Sequence, residues 1–263
     1  MVWPAAKTNG MTVYRSPELN RSGVFQAFST RSCGNMALHT GDLPDAVIRR
    51  RRQFLDSQGL DIRRLVAAGQ VHGTRVQVVS AAMAGAGAES QESAIAQTDA
   101  LITSEPGIIL GILTADCLPL FLYDPGTPAI AVIHAGWRGT IHRIAALTLE
   151  TMVKTCGTRP GQVWAGVGPG ICRDCFEVDR DLADRFRAAD DQAVTEMNSV
   201  SHVDLAGFIG RDLVSAGMNP GRIIFSGICT ACNPEIFYSY RAGGGTAGRM
   251  MGIIGLKKSA TER

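Results

Sequence analysis

Three short segments combine metal-capable or nucleophilic side chains with small residues: Gln70-Val71-His72-Gly73, Thr114-Ala115-Asp116-Cys117 and His134-Ala135-Gly136-Trp137-Arg138-Gly139. Two imidazoles and one thiolate suit Zn²⁺, which is tetrahedral and takes nitrogen and sulfur ligands. Three protein donors with the fourth position open describe a catalytic rather than a structural site. That position would hold a water acidified to a pKa of about 7, and Asp116 can hold a ring N–H or that water in place. The same residues also admit a Cys–His hydrolase, with Cys117 as nucleophile and His72 or His134 as base. The intervals of 45 and then 17 residues match no generic zinc signature, so the residues by themselves leave these readings open. Simple packing of a His or Cys at a strand end stays open beside them.

Such side chains need a rigid frame. Short β-rich runs bounded by Gly, Pro or Asp predict strands at Val24–Phe28, Arg75–Val79, Ala100–Thr103, Ile108–Leu113, Leu118–Tyr123, Ala129–His134, Gln162–Val167, Arg222–Ser226 and Met250–Ile254. The runs at 108–113 and 129–134 are expected to deliver Cys117 and His134 to a common sheet edge. Helices are expected from Asp45 through Ser57, over Asp179–Ala188, and from Asp204 to near Gly217. The clearest should run from about Thr140 to Cys156 and stop at Gly157. Residues 80–98, small and polar with closely spaced glycines, read as a long mobile loop. Strands in consecutive runs with helices at intervals favour a mixed sheet, or a pair of sheets, flanked by helices.

Composition narrows the function. The chain has 263 residues, a net charge of +2, 45% hydrophobic and 19% charged residues. A near-neutral balance disfavours a nucleic-acid partner, whose phosphates call for a surplus of Lys and Arg on one face. No apolar run approaches the ~18 residues of a membrane span, and MVWPAAKTNG lacks the apolar stretch of a signal peptide. Seven cysteines, an odd number, then point to reduced thiols and a cytoplasmic location. Cys172-x-x-Cys175 and Cys229-x-x-Cys232 look like halves of a zinc ribbon, but 53 residues separate the pairs. The usual separation is ~15–20, so buried or site-adjacent thiols are the expectation. No GxGxxG follows a strand and no Walker loop occurs, which removes the main support for dinucleotide or P-loop readings. The run Arg49 to Arg52 reads as a solvated helix surface from which one arginine can face inward.

The strings TADCLPLFLYDP and AVIHAGWRGT, preceded by QVHG, resemble the laccase-domain (YfiH-type) family. STRSCGNMALHTGD, GVGPGICRDCFEV and CTACNPEIFYSYRAGGGTAGR extend that resemblance over nearly the whole chain. It implies a single α/β domain (α+β mixed) over residues 1–263, with layered mixed β-sheets flanked by helices. It also implies zinc bound by His72, Cys117 and His134. The implied reaction is phosphorolysis of adenosine, inosine and methylthioadenosine to a free base and (methylthio)ribose 1-phosphate. Adenosine deaminase activity is attached to the family as well, as are copper-dependent polyphenol oxidation and peptidoglycan editing; the last would suit the Cys–His amidase chemistry. Deamination would need a proton shuttle, and the chain has no H-x-E, leaving Asp116 for that role. Five histidines are too few for a type-1 copper centre plus a trinuclear cluster. Asn35 and Arg51 fall on family positions and are expected to touch substrate. Arg138 and Arg241 are expected there because arginine forks match phosphate oxygens. Ala242 stands where relatives generally carry a second Arg. The partners implied are a purine nucleoside and phosphate, with the chain a monomer or weak homo-oligomer.

Overall fold

The computed structural model describes residues 3–20, 23–244 and 247–257. Its strands are β1 (Ala5–Thr8), β2 (Met11–Tyr14), β3 (Val24–Ser29), β4 (Leu65–Gly69), β5 (Val76–Val78), β6 (Ile95–Ala96), β7 (Ala100–Thr103) and β8 (Ile109–Thr114). There follow β9 (Leu118–Asp124), β10 (Ala129–Ala135), β11 (Trp164–Val167), β12 (Glu177–Val178), β13 (Val194–Met197), β14 (Val200–Val203), β15 (Ile223–Phe225) and β16 (Met250–Leu256). The helices are α1 (Pro44–Ser57), α2 (Trp137–Ile141), α3 (Ile144–Cys156), α4 (Arg180–Ala189), α5 (Leu205–Ser215) and α6 (Tyr240–Gly243).

Two mixed sheets carry the architecture. One has seven strands in the order β1-β2-β3-β16-β8-β4-β6, the other six in the order β15-β11-β9-β10-β7-β5; β12, β14 and β13 form a small third sheet. Alternation along the central strands shows the layering. Leu110 and Ile112 of β8 pack with Phe121 of β9 and Ile130 and Val132 of β10 in the core between the sheets. The opposite face of β8, Ile109 and Leu113, packs with Phe54 and Leu55 of α1. The opposite faces of β9 and β10, including Leu120, Leu122, Ala131 and Ile133, pack with Ile144 and Leu149 of α3 and Leu213 of α5. The order is helix, sheet, sheet, helix. Strands covered on both faces carry continuous apolar runs, which is why β8, β9 and β10 stand out in the sequence.

Three expectations change. The predicted helix over 140–156 is two helices, broken at His142-Arg143, where Arg143 has φ +62°. Asp212 makes the break: one carboxylate oxygen accepts from Arg143 Nε (2.6 Å) and the other from the Ala146 amide in the first turn of α3 (3.1 Å). Residues 80–98, read as a mobile loop, are instead tied to the sheet. Ala67 donates to the Ala86 carbonyl, Gly85 donates to that of Leu65, and Ile95–Ala96 pairs with β4. Finally, Cys117 and His134 do not share one sheet's edge through β8 and β10. β8 belongs to the seven-stranded sheet and β9 to the six-stranded one, so Ala115-Asp116-Cys117 crosses between sheets. The stretch between β4 and β5, which holds His72, makes the same crossing.

Candidate active site

The two crossovers and the end of β10 meet. One ligand-capable atom each from His72, Cys117 and His134 lies within 4.8 Å of the other two, and the two imidazole rings stand edge to face at 4.7 Å between centroids. Gly136 lets them approach. A Cβ there would sit 2.9 Å from His72 Cδ2 and 3.1 Å from Cys117 Sγ, so any side chain would fill the space the three donors face.

Asp99, at the start of β7, organises this cluster and carries no signal in the sequence beyond an acid directly before an apolar strand. It is fully buried. Its Oδ1 accepts from His134 Nδ1 at 2.8 Å and from the His72 amide at 3.0 Å. Its Oδ2 accepts from the amides of Val71 (3.2 Å) and Gly73 (2.8 Å). One carboxylate therefore shapes the turn that holds His72 at φ +59° and turns Nε2 of His134 toward the cluster. Gln70 adds a second tether, exchanging two side-chain bonds of 2.7 Å with the backbone of Leu113 at the end of β8.

Electrostatics follow the geometry. Desolvation raises the Cys117 thiol, but the charge and hydrogen bonds of His134 and His72 outweigh it and bring its pKa down to about 6. Desolvation depresses His134, yet the Cys117 thiolate and the Asp99 carboxylate carry it up to about 9. Burial pushes Asp99 up, and its bond to His134 and the backbone amides pull it below the usual carboxylate range. The metal-free state is a thiolate–imidazolium pair oriented by a carboxylate. A divalent cation can replace the proton between Sγ and Nε2 while Nδ1–H keeps its bond to Asp99, the usual second partner of a metal-bound histidine. The donor set fits Zn²⁺.

The cluster opens on a cavity of about 610 Å³ whose walls include Trp137, Arg138, Phe176, Tyr240 and Arg241, a size suited to a small organic ligand. Not every expected residue serves it as anticipated. Asp116 lines the cavity, but its carboxylate is engaged: it accepts from Thr230 Oγ1 (2.6 Å), Ser239 Oγ (3.0 Å) and the Arg241 amide (2.7 Å). The orienting role assigned to Asp116 falls to Asp99, while the Asp116 carboxylate ties Thr230, Ser239 and the Arg241 amide together beside the cavity. Arg51 is away from the cavity, only 1% exposed. It donates to the carbonyls of Met36, Gly87 and Ala88 at 2.7–2.8 Å, pinning α1 to residues 80–98. Asn35 also misses this cavity. Its amide accepts from Ala37 and Arg249 and donates to Ala37 and Thr40, closing its own loop against the start of β16.

Arg138 and Arg241 do reach the cavity. The Arg138 guanidinium stacks 4.3 Å from the Trp137 ring centroid, with Arg185 5.3 Å from the same ring, so Trp137 acts as a packing anchor for cations. Two Arg241 nitrogens donate to the carbonyls of Cys175 (3.1 Å) and Glu177 (2.9 Å), which fixes a wall. His39 and Arg249 also line the cavity; both lie within strings that carry the family resemblance, STRSCGNMALHTGD and CTACNPEIFYSYRAGGGTAGR, but residue type alone did not single them out there. The two Cys-x-x-Cys pairs, expected to be buried or site-adjacent thiols rather than a second metal site, converge: their four Sγ atoms lie within 4.8 Å of one another.

Known proteins resemble the chain over most of its length. The family described as multi-copper polyphenol oxidoreductase laccase matches residues 20–257. The chain is 39% identical over 258 residues to a purine nucleoside phosphorylase of Deinococcus radiodurans, covering 95% of this chain and 94% of the relative. It is 34% identical over 220 residues to adenosine deaminase RL5 from an unknown prokaryotic organism, covering 82% and 84%. The crystal structure of Bacillus licheniformis hypothetical protein YfiH superposes with a TM-score of 0.91 at 31% identity, covering 97% of this chain and 99% of that one.

Proposed function

The chain belongs to the multi-copper polyphenol oxidoreductase laccase family, and on that premise we propose that it is a zinc-dependent purine nucleoside phosphorylase. Its substrates in this reading are adenosine, inosine and methylthioadenosine, with adenosine deamination as a side activity. The observation that carries the reading is a three-donor cluster open on one side to a nucleoside-sized cavity that also holds Arg138. The phosphorylase and deaminase names of the two relatives support it.

In phosphorolysis a phosphate oxygen bonds ribose C1′ as the C1′–N9 bond breaks, and the base leaves with a proton. A zinc ion held by His72, Cys117 and His134 would supply a Lewis-acid centre. The chain's own groups do the rest. Arg138, which forms no ion pair among the described residues, receives the phosphate charge. Arg241, anchored by two carbonyls, shapes a wall of the cavity, and the rings of Phe176 and Tyr240 give the base apolar cover. Asp99 keeps the His134 ring from turning. The protein works in this reading as a cytoplasmic monomer or weak homo-oligomer, with no nucleic-acid or membrane partner. Among the described residues no helix is long and apolar enough to cross a membrane.

Incubating zinc-loaded protein with each nucleoside and phosphate, then measuring free base and sugar phosphate, tests the proposal. Release no faster than that by Cys117→Ala refutes it. One second reading has an observation of its own. The thiolate–imidazolium pair backed by Asp99 is the arrangement a Cys–His amidase uses, and editing of peptidoglycan precursors would follow. That reading requires activity in metal-free protein and its loss on thiol alkylation. Copper-dependent polyphenol oxidation fits less well, because several clustered copper sites are needed. The described residues form two His/Cys groups, one of them all cysteine.

A further inference from the structure

The two Cys-x-x-Cys segments leave the six-stranded sheet side by side. β11 and β15 are adjacent and parallel, and each is followed within a few residues by one pair. Cys172 precedes the 3-10 turn Arg173–Cys175. Cys229 is joined to Gly170 by an isolated parallel bridge. Two strands that neighbour each other in space thus present two thiol pairs that are far apart in sequence, which explains why their spacing resembles no zinc ribbon.

We propose that Cys172, Cys175, Cys229 and Cys232 bind a structural zinc ion as four thiolates, separate from the site of His72, Cys117 and His134. Their four sulfurs lie within 4.8 Å of one another. A tetrahedral ion with Zn–S bonds of ~2.3 Å needs sulfurs about 3.8 Å apart, so small side-chain rotations close the cage. Cys175 and Cys232 place their sulfurs 3.3 Å apart. Backbone groups already address the sulfurs: the Cys172 amide donates to Cys229 Sγ at 3.2 Å, the kind of bond that supports a metal thiolate. On binding, four Zn–S bonds form and four thiol protons leave to solvent. No position stays open, so this ion organises structure rather than chemistry.

What it would organise is the wall of the cavity. Cys175 and Glu177 lend their carbonyls to the Arg241 guanidinium. Thr230, between Cys229 and Cys232, donates to Asp116. The ion would also fasten β15, an edge strand three residues long, to β11.

The test is metal content in a Cys117→Ala background, which removes the other site and so keeps this proposal apart from the reaction assigned above. Protein prepared under reducing conditions with zinc, then freed of excess metal, should retain one equivalent. Adding Cys172→Ser and Cys232→Ser should take it to none. A Cys117→Ala protein without zinc, or unchanged zinc in the triple variant, overturns the proposal. Should the triple variant not fold, the unaltered chain still decides. Its zinc-loaded form is alkylated with iodoacetamide and mapped by mass spectrometry beside a chelated, reduced sample. The four cysteines should be shielded at least tenfold by zinc. Equal labelling, or a Cys175–Cys232 disulfide in the loaded protein, is the contrary result.

Discussion

Replacing Asp99 by Asn tests how the cluster is held. The carboxylate accepts from Val71, His72 and Gly73 amides and from His134 Nδ1, two donors on each oxygen. An asparagine keeps one accepting oxygen and turns an NH₂ toward the other two donors. With its oxygen on the His134 side, the amides of Val71 and Gly73 lose their acceptor. At about 1–3 kcal/mol for each buried group left unsatisfied, the cost to stability is about 2–6 kcal/mol. With the amide reversed, its NH₂ faces His134 Nδ1, which must then accept. The proton moves to Nε2, and the ring can no longer ligate through that nitrogen. Both orientations weaken the metal site, and loss of such an orienting partner typically costs 10–100-fold in affinity. Zinc affinity measured by chelator competition, with thermal unfolding alongside, should show both losses. A variant that binds zinc as tightly as the parent and melts at the same temperature would refute the reasoning. Asp116→Asn is the contrast: it faces Thr230, Ser239 and Arg241 and should lower stability while keeping zinc affinity within a few-fold.

Gly136→Ala puts a methyl 2.9 Å from the His72 ring and 3.1 Å from Cys117 Sγ. It should weaken zinc binding at this site at least tenfold while the circular dichroism spectrum stays unchanged. In metal-free protein the Cys117 thiol, with a pKa of about 6, should be alkylated at nearly its full rate at pH 7. Its rate should fall only as the pH drops through about 6, because protonation removes the thiolate; an unperturbed thiol would already slow below about 8.5. Peptide mapping of Cys117 over a pH series reads this directly. Arg51→Met leaves the Met36, Gly87 and Ala88 carbonyls without their donor and should cost about 3 kcal/mol or more, seen as a lowered Tm with the phosphate KM unchanged. Arg138→Ala should do the reverse, raising the phosphate KM about tenfold, the size of one lost charge-assisted contact, with Tm nearly unchanged.

The apolar strands that build the double sheet were legible because they are buried on both faces and bounded by turn residues; β7 has the bounds its residues predict. Asp179 and Asp204 cap α4 and α5 as their positions suggest, accepting from Leu182 and Gly207 amides. What pattern could not reveal depends on contacts remote in sequence. The break before α3 is made by Asp212, 69 residues beyond Arg143. The small strands β12, β13 and β14 are half-polar and too short for a period to show. At the site, His72, Cys117 and His134 were visible through residue type and motif. Asp99 was not, because a buried acid is recognised by what it binds, and its partners lie on two other segments. Arg51 shows the converse: a cation placed at a family position suggested a substrate contact, and burial against three carbonyls assigns it to the scaffold. The four cysteines were discounted on linear spacing, a measure that says nothing of two parallel strands lying side by side.

Anomalous diffraction at the zinc edge, from crystals grown with zinc, examines the heart of the account. A peak about 2.0–2.3 Å from a nitrogen of His72, a nitrogen of His134 and Cys117 Sγ, exposed on its remaining side to the cavity, is the predicted result. Crystals that show zinc elsewhere on the chain, with no peak among these three side chains, would contradict it.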